Sequence, residues 1–143
     1  MIYSDNVKKA INIAYKAHDG QVDKGGYPYI LHPIHLAEQM DTEEETIVAI
    51  LHDTVEDTDV SFSDLEKEFS KNVIDALKLL THDKSVPYEE YVESIMENDI
   101  AKKVKLADMK HNMDTTRVGD KVIVKKLETY KKMIKKLEVT QKE

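Results

Sequence analysis

The sequence predicts an all-α chain of roughly eight helices, and three observations carry that prediction. Apolar residues recur three and four apart in one segment after another. Most of these segments open on a serine, threonine, aspartate or proline start signal. No alternating apolar and polar run bounded by turn residues stands out as a strand.

Val7, Ala10, Ile11, Ala14, Tyr15 and Ala17 mark a first helix from Asp5 to His18 behind a Ser4 or Asp5 cap. Asp19-Gly20 ends it, and Lys24-Gly25-Gly26-Tyr27-Pro28 reads as a surface loop of the kind that often carries binding groups. Pro33 suits a first helical position, which places His32 at a fixed helix entrance. Thr42-Glu43-Glu44-Glu45 reads as a capping box, in which the threonine hydroxyl and Glu45 satisfy each other's backbone donors. Its acidic first turn suits the helix dipole. The apolar run that follows ends in His52-Asp53-Thr54-Val55-Glu56-Asp57; a helix continuing through it would set Glu56 one turn beyond His52 and Asp53. Ser61 repeats the start signal for a short face of Phe62, Leu65 and Phe69, and Ser70 caps a helix carrying Val73, Ile74, Leu77 and Leu80. After a loop over residues 81–86, Pro87 opens a helix with Tyr88, Tyr91, Val92, Ile95 and Met96. Asp99 opens another with Ile100, Val104, Ala107 and Asp108. Ile123, Leu127, Tyr130, Ile134 and Leu137 then form a stripe predicting a C-terminal amphipathic helix over about 120–138.

A chain of 143 residues fits one domain, with a core at about 5–117, and is long enough to bury that core without staples. It has no cysteine, which excludes disulfides, thiolate zinc sites and cysteine nucleophiles, so a metal would be held by nitrogen and oxygen. No basic-then-apolar leader and no membrane-length apolar run are present, so a soluble cytoplasmic protein without a membrane role is expected. A formal net charge of -7 argues against a nucleic-acid surface while leaving room for a local pocket for an anionic small molecule. The lysine-rich last helix is read as packing on the core with a solvated face, and a homodimer is the assembly it would serve.

Two anomalies point to chemistry. His52, Asp53, Glu56 and Asp57 crowd one helix end, where desolvation and repulsion call for a cation or substrate. Ile100, Val104 and Asp108 recur every four residues, placing a carboxylate on an apolar face that no basic residue shares. A salt bridge to Lys105 or Lys110 leaning around the helix is the plain alternative for Asp108. Together His32, His52, Asp53 and Asp108 make a two-histidine, two-carboxylate set that suits one divalent ion, with manganese, iron, cobalt and zinc all compatible. Such a site implies metal-assisted hydrolysis.

His32-Pro33, Leu51-His52-Asp53-Thr54-Val55-Glu56-Asp57-Thr58 and the run from Val104 through Asp108 to Met113 resemble the HD-domain phosphohydrolases. Within them the chain is similar to the hydrolase domains of RelA/SpoT-type enzymes, which remove the 3′-diphosphate from (p)ppGpp. His18-Asp19-Gly20-Gln21 and Gly26-Tyr27-Pro28-Tyr29 fit the same branch. The resemblance implies a single HD-domain helical bundle, metal ligation by His32, His52, Asp53 and Asp108, typically of manganese, and a water-orienting or proton-accepting role for Glu56 and Asp57. It also implies a small phosphorylated nucleotide as substrate, with Lys24, Tyr29, Asn112 and Thr115 as candidate contacts. Asp23 and Asp114 stand where the family usually has arginine, and a carboxylate replaces neither arginine's stacking plane nor its forked donors. A phosphatase for nucleoside monophosphates or other small phosphate esters, and a nucleotide-binding module without turnover, are the competing expectations.

Overall fold

The computed structural model describes residues 1–114, 131–136 and 138. Eight helices follow in order among the described residues: α1 (Asp5–Ala17), α2 (Leu31–Glu38), α3 (Glu43–Leu51), α4 (Thr54–Asp57), α5 (Phe62–Glu66), α6 (Lys71–Leu80), α7 (Tyr88–Ile95) and α8 (Asp99–Asn112). Residues 131–136 are helical as well. The bridge between Val22 and Pro28 is the one piece of β pairing among the described residues.

α3 is the axis of the bundle. Thr46, Ile47, Val48, Ala49, Ile50 and Leu51 are all buried, and α1, α2, α6 and α8 all pack against it. A helix that is apolar all round belongs inside. Its buried Thr46 hydroxyl donates to the Thr42 carbonyl at 2.7 Å, so the run carries no unmet polar group there. Leu36, Leu77, Val92, Ile95, Val104 and Met109 close the core around it.

Caps set the helix starts as the sequence suggests, with differences that have physical reasons. Ser4, Thr42, Ser61, Ser70 and Asn98 each accept a backbone N–H from the first turn. Ser61 and Asp64 form the full reciprocal box. At Thr42 only half of it forms: the hydroxyl accepts from Glu45 N, whereas Glu45 Oε1 accepts from Asp41 N and from Lys103 Nζ. Thr42→Ala is expected to cost about 1 kcal/mol, the usual worth of an N-cap hydroxyl, read as a lower urea midpoint with unchanged slope.

Two boundaries depart from expectation where the site is built. α2 begins at Leu31, so Pro33 is its third residue and His32 lies inside the first turn. Any of the first helical N–H groups lacks an intrahelical acceptor, so proline is tolerated there too. The helix through His52 does not continue: α3 ends at Leu51, Asp53 takes φ −109° and ψ 2°, and α4 starts afresh at Thr54.

The C-terminal stripe lies mostly outside the described residues. Where it is described, Met133 is buried and Ile134 half-buried, while Lys132 and Lys136 pair with Glu89 and Glu93 of α7. No described helix is long and apolar enough to cross a membrane.

Candidate metal and phosphohydrolase site

Four side chains from three places in the chain converge. His32 comes from the first turn of α2, His52 and Asp53 from the break between α3 and α4, and Asp108 from the last turns of α8. His32 Nε2 lies 2.8 Å from Asp108 Oδ1. His52 Nε2 lies 3.0 Å from Asp53 Oδ2 and 3.6 Å from Asp108 Oδ1. Donor atoms of His32, His52 and Asp53 all fall within 4.8 Å of one another, and Asp108 joins them through its contacts with both imidazoles. The backbone break makes this possible, because two successive residues can aim at one point only where helical rotation stops between them.

The donor set fits a divalent cation on one observation above the others. His52 Nδ1 donates to the Ala49 carbonyl at 2.7 Å, which leaves Nε2 with the lone pair in the neutral ring. That Nε2 is buried with no hydrogen-bond partner and faces two carboxylates. A lone pair aimed at anions is repulsive until a positive charge stands between them.

The electrostatics point to the same need for positive charge at this place. Burial lowers His32 below the ordinary imidazole value, the Asp108 hydrogen bond only partly opposing it. Burial also works against a charged His52, yet Asp53 and Asp108 together raise it well above the usual range. These directions differ because His52 faces two carboxylates and His32 chiefly one. Burial would raise Asp108, but Lys105 and the two histidines hold it well below the carboxylate range. Lys105 Nζ sits 3.0 Å from Asp108 Oδ2 and over the rings of Tyr88 and Tyr91. Asp108 thus has Oδ2 in a buried ion pair with Lys105, the plain alternative the sequence offers, and Oδ1 turned toward the histidines.

A surrounding layer fixes these groups. The Tyr29 hydroxyl donates to Asp53 Oδ2, and Asn112 Nδ2 donates to Asp108 Oδ1 at 3.1 Å. Neither of these two substrate candidates is turned away from the cluster; each is fastened to it. His18 is buried beside Tyr29 at 4.7 Å between ring centres, contacting Thr54 Oγ1 and Gln21 Oε1. Gln21 in turn donates to the Asp57 carbonyl at 3.2 Å, so the end of α1 is tied to α4. The burial of His18 against Thr54 depends on tertiary packing that periodicity does not reveal.

Glu56 and Asp57 are exposed at the far end of α4. Carboxylate oxygens of Asp53, Glu56 and Asp57 lie within 4.8 Å of one another. Glu56 Oε1 accepts from the His82 backbone N–H at 2.8 Å, a link between α4 and the 81–87 loop that no spacing signals. Partial burial, with Asp53 and Glu56 nearby, raises Asp57 above the usual carboxylate value. Lys24 is exposed on the loop between α1 and α2. Asp23 builds that loop: Oδ1 accepts from Gly25 N and Tyr27 N, and Gly26 takes φ +85°, a conformation glycine adopts freely. An arginine could accept neither bond. Asp114 is exposed beyond α8, and Thr115 lies outside the described residues.

A family model described as an HD domain matches residues 10–137, and the chain belongs to that family. An HD domain implies binding of a divalent metal, and the histidine and aspartate cluster is where this chain gathers donors for one. Among its relatives, the guanosine-3′,5′-bis(diphosphate) 3′-pyrophosphohydrolase MESH1 of Danio rerio is 38% identical over 118 residues, covering 73% of this chain and 66% of the relative. The bifunctional (p)ppGpp synthase/hydrolase SpoT of Escherichia coli K12 is 33% identical over 124 residues, covering 76% of this chain and 18% of SpoT. A solved structure described as a metazoan ortholog of SpoT that hydrolyzes ppGpp superposes with a TM-score of 0.78 at 28% identity, covering 98% of this chain and 87% of that one. The chain thus spans 66% of one of these curated relatives and 18% of the other.

Proposed function

We propose that this chain is a metal-dependent phosphohydrolase that removes the 3′-diphosphate of (p)ppGpp in the cytoplasm, with one divalent ion, manganese by preference, held by His32, His52, Asp53 and Asp108. The observation that carries this reading is the buried, unpartnered His52 Nε2 facing Asp53 and Asp108. The relatives that act on (p)ppGpp support the substrate class.

An ion held there would make its bound water more acidic than bulk water and would offset charge gathering on phosphoryl oxygens. His52, locked by Ala49, and His32 present nitrogen lone pairs; Tyr29 and Asn112 keep Asp53 and Asp108 turned inward. Glu56 and Asp57, one turn from Asp53, take the proton of the attacking water. Water oxygen bonds to phosphorus as the bond to the ribose 3′-oxygen breaks, and the leaving oxygen takes up a proton. Lys105, buried against Asp108, supports that carboxylate's charge.

The test is a manganese-supplemented panel of ppGpp, nucleoside monophosphates and a generic aryl phosphate. Diphosphate released from ppGpp alone supports the proposal. The second reading, a monophosphate phosphatase, draws on Asp23 and Asp114 standing where the resemblance expects arginines for guanine recognition and grip on a polyphosphate, and orthophosphate released only from monophosphates would establish it in place of the first. Glu56→Gln is expected to leave manganese bound while slowing hydrolysis by ~10²-fold or more, the common worth of a positioned proton acceptor. An unchanged rate would remove Glu56 from the mechanism.

A further inference from the structure

His111, at the end of α8, meets His32, one of the residues proposed to hold the ion. Its Nδ1 lies 2.7 Å from His32 Nδ1. The two rings are within 4° of parallel with centres 4.9 Å apart, and so short an N–N contact at that separation means they meet edge to edge, along the lone-pair direction. On its other side His111 is covered face-on by His35 of α2, at 4.0 Å and 23°. One imidazole of such a pair donates and the other accepts.

The direction of that bond follows from what His32 has to do at Nε2. A ring that offers Nε2 as a lone pair while neutral carries its hydrogen on Nδ1, and that hydrogen needs an acceptor. For His52 the acceptor is the Ala49 carbonyl. His32 sits in the first turn of α2, and the group at hydrogen-bond distance from its Nδ1 is His111. We propose that His111 is a positioning residue: it accepts the His32 Nδ1–H through its own Nδ1, thereby fixing the His32 tautomer and ring plane that present Nε2 to the metal. His35 holds the plane of His111 by lying across its face. The inference rests on His32 being a metal ligand.

The test uses the full chain in two measurements. Manganese affinity is measured by electron paramagnetic resonance titration for the native chain, His32→Ala, His111→Phe and His111→Asn. Phenylalanine keeps a flat ring without an acceptor, whereas asparagine sets a carbonyl oxygen close to where Nδ1 stands. His111→Phe is expected to bind ~10–100-fold more weakly, the usual worth of a ligand's outer partner, and His111→Asn to recover most of that loss. In the native chain loaded with zinc and labelled with nitrogen-15 at histidine, a coupling across the hydrogen bond between His32 Nδ1 and His111 Nδ1 is expected, with the proton on His32. That measurement decides the question even if His111→Phe does not fold. A loaded native chain without the coupling, or Phe and Asn variants that bind alike, overturns the role of His111. Unaltered affinity in His32→Ala, or no binding by the native chain, overturns the metal-site reading and this inference with it.

Discussion

Asp53→Ala is expected to abolish manganese-supported release of diphosphate from ppGpp, a fall of ~10³-fold or more, comparable to losing a principal electrostatic stabiliser. Asp53 has three duties in this structure. It supplies one of the oxygens grouped with His32 and His52, and it anchors the Tyr29 hydroxyl. It is also among the anions that draw positive charge to His52 Nε2. Alanine removes all of this, yet Asp53 lies at a backbone break with part of its side chain exposed, so the core beneath it remains packed. The loss should therefore appear in turnover and metal affinity with little change in the circular dichroism spectrum. Substantial turnover in a folded Asp53→Ala chain would refute the metal mechanism.

Lys105→Met is expected to destabilise the metal-free chain by about 3–5 kcal/mol, the range for removing one partner of a buried ion pair. The Asp108 side chain is only 7% exposed and Lys105 only 13%, so water cannot take over the lost charge. Methionine fills a similar volume against Tyr88 and Tyr91, which isolates the charge from the packing. Manganese should narrow the difference between variant and native chain, since an ion at Asp108 provides the positive charge that lysine supplied. Urea unfolding with chelator and with manganese measures both effects. A loss below about 1 kcal/mol in chelator would show that Asp108 is neutralised by other means.

The part of this fold written in local chemistry could be read from the sequence. Helix starts at Ser4, Ser61 and Ser70 follow from hydroxyls that satisfy first-turn donors, and Asp108 betrays itself by lying every-four with Ile100 and Val104 on a buried face. His32 was legible as a helix-entrance residue, although Pro33 misled about the entrance by two positions, because proline is acceptable anywhere in the first turn. The stop between Leu51 and Thr54 was not legible: His52 and Asp53 are weak helix formers but not breakers, so propensity alone does not say that one helix ends and another starts at this pair. Glu56 on the His82 amide, Gln21 on the Asp57 carbonyl and His111 on His32 were hidden for one shared reason. Each is a contact across 26 to 79 residues of sequence, settled by the way helices stack and leaving no periodic trace along either one. Asp23 shows the reverse, since a position that family resemblance marks for recognition serves here as the fastener of its own loop.

The separation between His32 and Asp108 has one more consequence. These two residues are 76 apart in sequence, so an ion shared by them would work as a cross-link as much as a reagent. Whatever binds the folded form alone shifts the folding equilibrium toward it, by about 2.7 kcal/mol at a free concentration one hundred times the dissociation constant. Scarcity of the metal would then act on abundance as well as on rate: starved chains would open more often, and proteases would find them first.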